Sequence, residues 1–145
     1  MTGPGRLAKP IPAPDALTEP YWDAARREVL AIQRCSDCRL YIHPPDAVCP
    51  ACNSEALAFE TVSGRGRVYS YTVVRDNVTR GFEDQAPYVV ALIELEEQER
   101  LIVVTNLLGL APDRVRVGLP VAVEFEAIGE GIRLPQFRVV APVGA

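Results

Sequence analysis

Cys35-Ser36-Asp37-Cys38 and Cys49-Pro50-Ala51-Cys52 are two Cys-x2-Cys knuckles with ten residues between them. Two such hooks present four thiolates to one ion at about 2.3 Å each, the closed tetrahedron of a structural zinc site. A short alternating run, 29–34 (VLAIQR), leads into the first knuckle, and Pro50 favours a tight turn in the second. The spacing therefore predicts a zinc ribbon over residues 29–57, with Cys35, Cys38, Cys49 and Cys52 as ligands. The competing readings are two disulfides or a redox pair. Disulfides fit an oxidising compartment, and a redox pair belongs at the start of a helix in a βαβ unit, which this half lacks. Four thiolates fill the coordination sphere and leave no place for water or substrate, so the ion is expected to be structural. His43, beside Pro44 and Pro45, reads as a turn residue rather than a ligand.

Outward from the ribbon, the N-terminal side holds residues 1–28. Prolines 4, 10, 12 and 14 fix φ and make residues 1–14 an extended arm, polyproline-like or laid across a surface. A helix is expected from Glu19 to Glu28, with Thr18 as its cap and Pro20 in the first turn. Trp22 either anchors this helix on the body or contacts a partner.

The C-terminal side, 58–145, reads as all-β. Candidate strands are 58–63, 67–75, 88–95, 100–108, 121–128 and 136–141, rich in Val, Ile, Tyr and Phe and bounded by turn residues. Glu96 to Glu99 is a polar turn, so 88–95 and 100–108 form a hairpin. Residues 110–120 have room for a short helix or a turn. Residues 76–87 form the longest irregular loop and carry Arg80 and Phe82. So many short strands in about 80 residues suit a small closed barrel, of the OB-fold type or, alternatively, SH3-like.

Composition narrows the chemistry. The chain of 145 residues has a formal net charge of -4, one histidine, one lysine (Lys9) and four cysteines. Gly64 to Ala145 holds 9 arginines against 11 acidic residues. A nucleic-acid binder needs a basic excess to replace counterions, so the acidic balance of the chain and of its second half opposes that role. It leaves a single-stranded nucleic-acid-binding OB-fold module, with Tyr69 and Tyr71 as a face for stacked bases, as the lesser alternative. A Ser-His-Asp set would require His43 in a cleft, and the short glycine pairs near 64 and 130 precede no helix, so no phosphate cradle forms. An independent acyl-CoA hydrolase would have only His43 or a carboxylate as its base. Residues 1–14 lack the apolar core of a signal peptide, and no apolar run approaches the roughly 20 residues of a membrane span. The expected location is the cytoplasm.

Several stretches together resemble a known family. They are Pro20-Tyr21-Trp22, the four cysteines with Pro44-Pro45 between the knuckles, the run from Ser63 to Val74, the run from Pro87 to Leu95, and Pro135-Gln136-Phe137-Arg138. This ordered set is similar to the acyl-CoA-associated zinc-ribbon/OB-fold family, long catalogued as domain of unknown function thirty-five. The resemblance implies a mostly β protein: an N-terminal helix, a rubredoxin-like zinc ribbon and a C-terminal OB-fold barrel. It implies a non-catalytic partner of thiolase-superfamily enzymes. One branch bridges an acetoacetyl-CoA thiolase to a hydroxymethylglutaryl-CoA synthase. Another joins lipid-transfer-protein-type aldolases that cleave a β-hydroxyacyl-CoA in bacterial steroid side-chain breakdown, at times with a MaoC-type hydratase domain fused or associated. The chain reads equally as a complete protein or as one domain of a longer one. Fourteen of the fifteen basic residues are arginine, a bias of GC-rich bacterial genomes that favours the steroid branch. On this reading Tyr21, Trp22 and Phe82 are interface candidates. Arg65, Arg67, Arg75 and Arg80 are candidates for CoA phosphates, which arginine binds bidentately, against the plainer reading of solvated strand-end charge.

Overall fold

The computed structural model describes residues 9–76, 79–129 and 131–140. The ends of the expected arm and of the second half, 1–8 and 141–145, lie outside them.

Helix α1 spans Glu19–Arg26, with proline in its first turn and Arg26 in its last. The predicted hydroxyl cap is not made. The Thr18 hydroxyl instead exchanges hydrogen bonds with Asp15, whose carboxylate also accepts from the amides of Leu17 and Thr18. Asp15 thus organises the turn before the helix, and its pKa is lowered, chiefly by the Thr18 amide. The helix ends two residues earlier than predicted. Glu28 takes a left-handed φ of 58°, and the amides of Glu28 and Val29 donate to the carbonyls of Ala25 and Ala24. Ala24 and Ala25, both buried, let the helix backbone approach the body closely.

β1 (Ala31–Cys35) is the centre of a three-stranded antiparallel sheet. It pairs with β2 (Tyr41–Ile42) on one side and β3 (Leu57–Thr61) on the other. β3, read in sequence as the first strand of the C-terminal half, therefore hydrogen-bonds into the ribbon sheet. Its partner strand lies upstream of the second knuckle, and no local pattern reveals such a long-range pairing.

The remaining strands are β4 (Arg65–Val74), β5 (Tyr88–Leu95), β6 (Ile102–Leu108), β7 (Pro120–Gly129) and β8 (Ile132–Val139). They close into a five-stranded ring in the order β4-β5-β6-β8-β7, with β6 and β8 parallel and every other pair antiparallel. A 3-10 turn at Pro112–Arg114 joins β6 to β7, within the stretch expected to hold a short helix or turn. The predicted hairpin of β5 and β6 is present.

Alternation fills the ring. Val89, Ala91, Ile93 and Leu95 of β5 point inward with Val103 and Leu107 of β6, Val68, Val121 and Phe137. Gly66 permits the closure, because a Cβ there would lie 2.3 Å from the Glu94 carbonyl oxygen. A bulge at Tyr69 interrupts the β4–β5 register between Val68 and Ser70. The extra residue sharpens the bend of β4 and leaves the Tyr69 ring exposed.

The ribbon is fixed to the ring by the tip of the β5–β6 hairpin. The Gln98 side-chain amide accepts from the Tyr41 amide at 2.9 Å and donates to the Tyr41 carbonyl at 3.0 Å, acting as one more rung beside β2. Glu97 accepts from the Ser63 amide at 2.7 Å.

Candidate functional site

The two knuckles are near copies of each other. In the first, the Arg39 amide donates to the Cys35 carbonyl and Arg39 has a left-handed φ of 69°. In the second, the Asn53 amide donates to the Cys49 carbonyl and Asn53 has a φ of 64°. Each turn thus aims both of its thiols toward the other knuckle. All four sulfurs lie within 4.8 Å of one another, and Cys35–Cys52 and Cys38–Cys49 are each 3.6 Å apart. A tetrahedron with 2.3 Å metal–sulfur bonds has edges of about 3.8 Å. The separations match those edges and are far beyond the roughly 2.0 Å of a disulfide. The Cys38 amide points at the Cys35 sulfur at 3.5 Å. That hydrogen bond pulls the Cys35 thiol down to about 6, while the Cys38 and Cys52 thiols are raised. The thiols on their own thus share their charge unequally, and a metal must supply the rest of the pull toward four thiolates. The donor set fits one structural zinc ion held by Cys35, Cys38, Cys49 and Cys52, as the spacing predicted.

His43 is not in this cluster. It packs against the Tyr21 ring at 5.5 Å, and burial lowers its pKa, so it stands as a neutral packing residue. Tyr21 is itself packed against the core, and burial pushes its hydroxyl up to about 12. Trp22 meets Tyr21 edge to face at 5.0 Å. The two rings border a shallow groove of about 270 Å³ with Val90, Val104, Leu134 and Gln136. Phe82, the third interface candidate, makes its ring contact elsewhere, stacked on Tyr88 at 5.1 Å.

The four candidate arginines are not gathered into one cluster. Arg65 and Arg67 open β4, whereas Arg75 and Arg80 follow its end, roughly 30 Å of strand away. Arg65 is paired with Glu96 at 3.2 Å. It shares an open cavity of about 610 Å³ with Arg67, Glu94, Glu96 and Glu99. That cavity is a mixed-charge surface, not a concentrated anion site.

A second surface feature was hidden in the sequence. Val90 and Leu92 of β5 and Ile102 and Val104 of β6 alternate with the buried set, so they face outward. Cross-strand pairing aligns Ser70, Leu92 and Val104, and the bulge adds Tyr69 beside Ser70. Val104 is 68% exposed. An outward sheet face ordinarily carries polar residues, and an apolar row there marks a contact surface. The signal was available: YVVALIEL and IVVTNLL keep apolar residues on both alternate sets, interrupted only by Glu94, Thr105 and Asn106.

Glutamines carry much of the support and were not anticipated. Buried Gln33 clamps Asp46 through both its amide and its carbonyl at 2.8 Å, holding the Pro44–Pro45 loop on the sheet. Gln98 acts likewise at the hairpin tip. Such residues look like ordinary surface polar side chains until their partners are known.

Among the described residues, no helix is long and apolar enough to cross a membrane.

Two family models match the chain in sequence order. Residues 22–58 match the rubredoxin-like zinc ribbon domain of ChsH2, and residues 59–126 match its C-terminal OB-fold domain. A probable enoyl-CoA hydratase alpha subunit of Thermomonospora curvata is 40% identical over 137 residues, which is 94% of this chain and 42% of the relative. The chain thus spans less than half the length of that protein. A DUF35 domain-containing scaffold protein of Methanocaldococcus jannaschii is 38% identical over 99 residues, 67% of each chain. Among solved structures, a chain of an Ltp2-ChsH2(DUF35) aldolase superposes with a TM-score of 0.80 at 38% identity, covering 88% of this chain and 98% of that one. The helix, the four-cysteine ribbon and the five-stranded OB-fold, matched in order, place this chain in the ChsH2-type DUF35 family.

Proposed function

We propose that this chain is a non-catalytic subunit that binds and stabilises a thiolase-superfamily acyl-CoA enzyme. The finer reading is a lipid-transfer-protein-type aldolase that cleaves a β-hydroxyacyl-CoA in bacterial steroid side-chain degradation. The observation that carries it is the likeness to a chain of the Ltp2-ChsH2(DUF35) aldolase, which covers nearly the whole of that chain. The chemistry of this chain agrees. Its four thiolates are consumed by a closed metal site, and its one histidine is a packing residue. The bond-breaking groups then belong to the partner. A subunit of this kind contributes surface, and the outward row of Tyr69, Leu92 and Val104 with the Trp22 groove supplies an apolar one. Phe82 and the arginines Arg65, Arg67, Arg75 and Arg80 remain candidates for the rim of that contact, the arginines meeting the phosphates of a CoA ester held at the partner's site.

The hydratase-subunit relative, of which this chain spans less than half, supports an added association with a MaoC-type hydratase domain. The scaffold-protein relative favours one alternative, a subunit bridging a thiolase to a hydroxymethylglutaryl-CoA synthase.

Co-expression tests the proposal. The thiolase-like enzyme should be soluble and active with this chain and elute with it, and Trp22→Ala with Val104→Asp should weaken the complex. An enzyme equally soluble and active alone would sink the reading. Acyl-CoA turnover by the purified chain would do the same.

A further inference from the structure

The only lysine in the chain is placed unlike a surface lysine. Lys9 lies on the N-terminal arm, yet its side chain is 12% exposed and its ammonium meets Glu126 of β7 at 2.7 Å. The same ammonium sits 5.2 Å from the centroid of the Phe82 ring, within cation–π range, and Phe82 is stacked on Tyr88. Behind Glu126 is a buried amide network. Its other carboxylate oxygen accepts from Gln136, which is 4% exposed. Gln136 also accepts from Thr105 and from the Asn106 amide at 2.9 Å. The Asn106 side chain in turn donates to the Val89 carbonyl. One ammonium therefore ties residues 9–14 to β7, to the loop 79–87 and, through Gln136 and Asn106, to β5, β6 and β8.

The choice of lysine has a physical reason in a chain with fourteen arginines. A guanidinium gains most from a bidentate grip on a carboxylate. Here one oxygen of Glu126 is taken by Gln136, and the slot is walled by an aromatic ring. A compact ammonium on a flexible stem fits a single oxygen and a ring face. Pro10 and Pro12 flank Ile11, whose Cδ1 lies 3.4 Å from where a Cβ on Gly129 would be, so the segment after Lys9 lies along the end of β7. Lys9 and Glu126 also form part of the wall of a cavity of about 310 Å³ at this mouth of the ring, beside Pro87, Leu107 and Leu110.

We propose that Lys9 is the pin of a latch. Its ammonium seats residues 9–14 on Glu126 and Phe82, and its release frees that segment and residues 79–87 together while the ring and the ribbon stay folded. The latch thereby opens or closes one wall of the cavity. This inference does not depend on the partner-subunit reading.

Hydrogen exchange on the full zinc-loaded chain tests it, with trypsin cleavage after Arg80 as a second readout. In Lys9→Met, which keeps the apolar stem, amides of 79–86 should exchange roughly tenfold faster and cleavage after Arg80 should accelerate similarly. Exchange in β1 and β3 of the ribbon should not change. Glu126→Gln should give the same pattern, and Lys9→Arg should restore protection only in part. Unchanged exchange at 79–86 in Lys9→Met would overturn the latch. So would faster exchange spread equally into the ribbon, which would make Lys9 a general stability contact, or full protection in Lys9→Arg.

Discussion

The ribbon and the ring solve the same problem by different means. The ring is built on one cluster of fourteen buried apolar residues. Eleven come from 68–137, among them Ile93, Leu95 and Phe137, and three, Leu30, Ile32 and Val62, from the ribbon sheet and its flanks. The cluster at the knuckles contains Cys35, Ile42 and Cys49 as its buried members, so two of its three core side chains are metal ligands. Burial at about 25 cal/mol per Å² can hold the first unit and is too little for the second. The difference teaches that this fold draws on two sources of stability, one set by apolar area and one by coordination chemistry, which meet where Ile32 of β1 joins the ring cluster.

The largest expected effect removes the second source alone. Cys49 is buried and bridges the ribbon core to the metal, so Cys49→Ser should release zinc and unfold residues 30–57. Apparent binding free energies of structural zinc are about 10–16 kcal/mol, more than a small ribbon can replace. Metal analysis should find zinc lost, and amide spectra should collapse for the ribbon while Ile93 and Phe137 keep native shifts. Stoichiometric zinc and an intact ribbon spectrum would erase the contrast. A ring that unfolds with the ribbon would show that the two sources are not separable.

The converse change strikes the ring and spares the metal. At Gly66 the obstacle to a side chain is backbone, the Glu94 carbonyl at 2.3 Å, with Ile93 Cγ2 at 3.0 Å. Neither can swing away as a flexible side chain would. Gly66→Ala should cost about 1–3 kcal/mol, the usual range for overpacking. Urea unfolding should show a lower midpoint with zinc content unchanged. A variant as stable as the parent would mean that β4 and β5 can separate locally without cost.

The two sources were unequally visible in the sequence. The metal centre was legible to the residue, because Cys-x2-Cys is a local signal and the knuckle turns depend on nothing distant. The ring strands were legible as strands, since β5 alternates over its whole length. What stayed hidden were pairings across long separations. β3 reads as a strand of the C-terminal half and pairs with β1. Lys9 reads as part of an extended arm, and nothing local names its partner Glu126, 117 residues away. The four candidate arginines lie at two ends of β4, a separation that their identity as arginines does not reveal. Alternation reports which face a residue takes within its strand and carries no information on which strand lies beside it.

A smaller effect falls on the junction between the two regions. Gln98→Ala removes both hydrogen bonds to the Tyr41 backbone and leaves an amide and a carbonyl to find water. The expected loss is about 1–2 kcal/mol of ribbon stability. Its signature is selective: ribbon amides around Tyr41 should exchange faster, while those of β7 and β8 should not. Equal acceleration in both units would mean that the ribbon and ring unfold as one.

The smallest effect concerns charge on the ribbon sheet and has a defined pH direction. Glu60 of β3 meets Arg34 of β1 and Arg39 of the first knuckle, each at 3.1 Å. The hydrogen bond from Arg34, with the charge of Arg39 beside it, holds the Glu60 carboxyl below its ordinary value of 4.5. A depressed pKa means that the folded state favours the ionised form. The stabilisation is therefore fully present above pH 4.5 and is lost as pH falls through the folded-state value. Acid also protonates the zinc thiolates, so a simple acid melt would mix two causes. Comparison with Glu60→Gln separates them, because thiolate protonation is common to both proteins. The ribbon of the variant should melt slightly below the parent near neutral pH, and the gap should close as pH drops below 4.5. A gap that is constant across that range would assign the contact to shape and not to charge. The ribbon would then owe its stability to coordination, with no measurable share from its surface ion pairs.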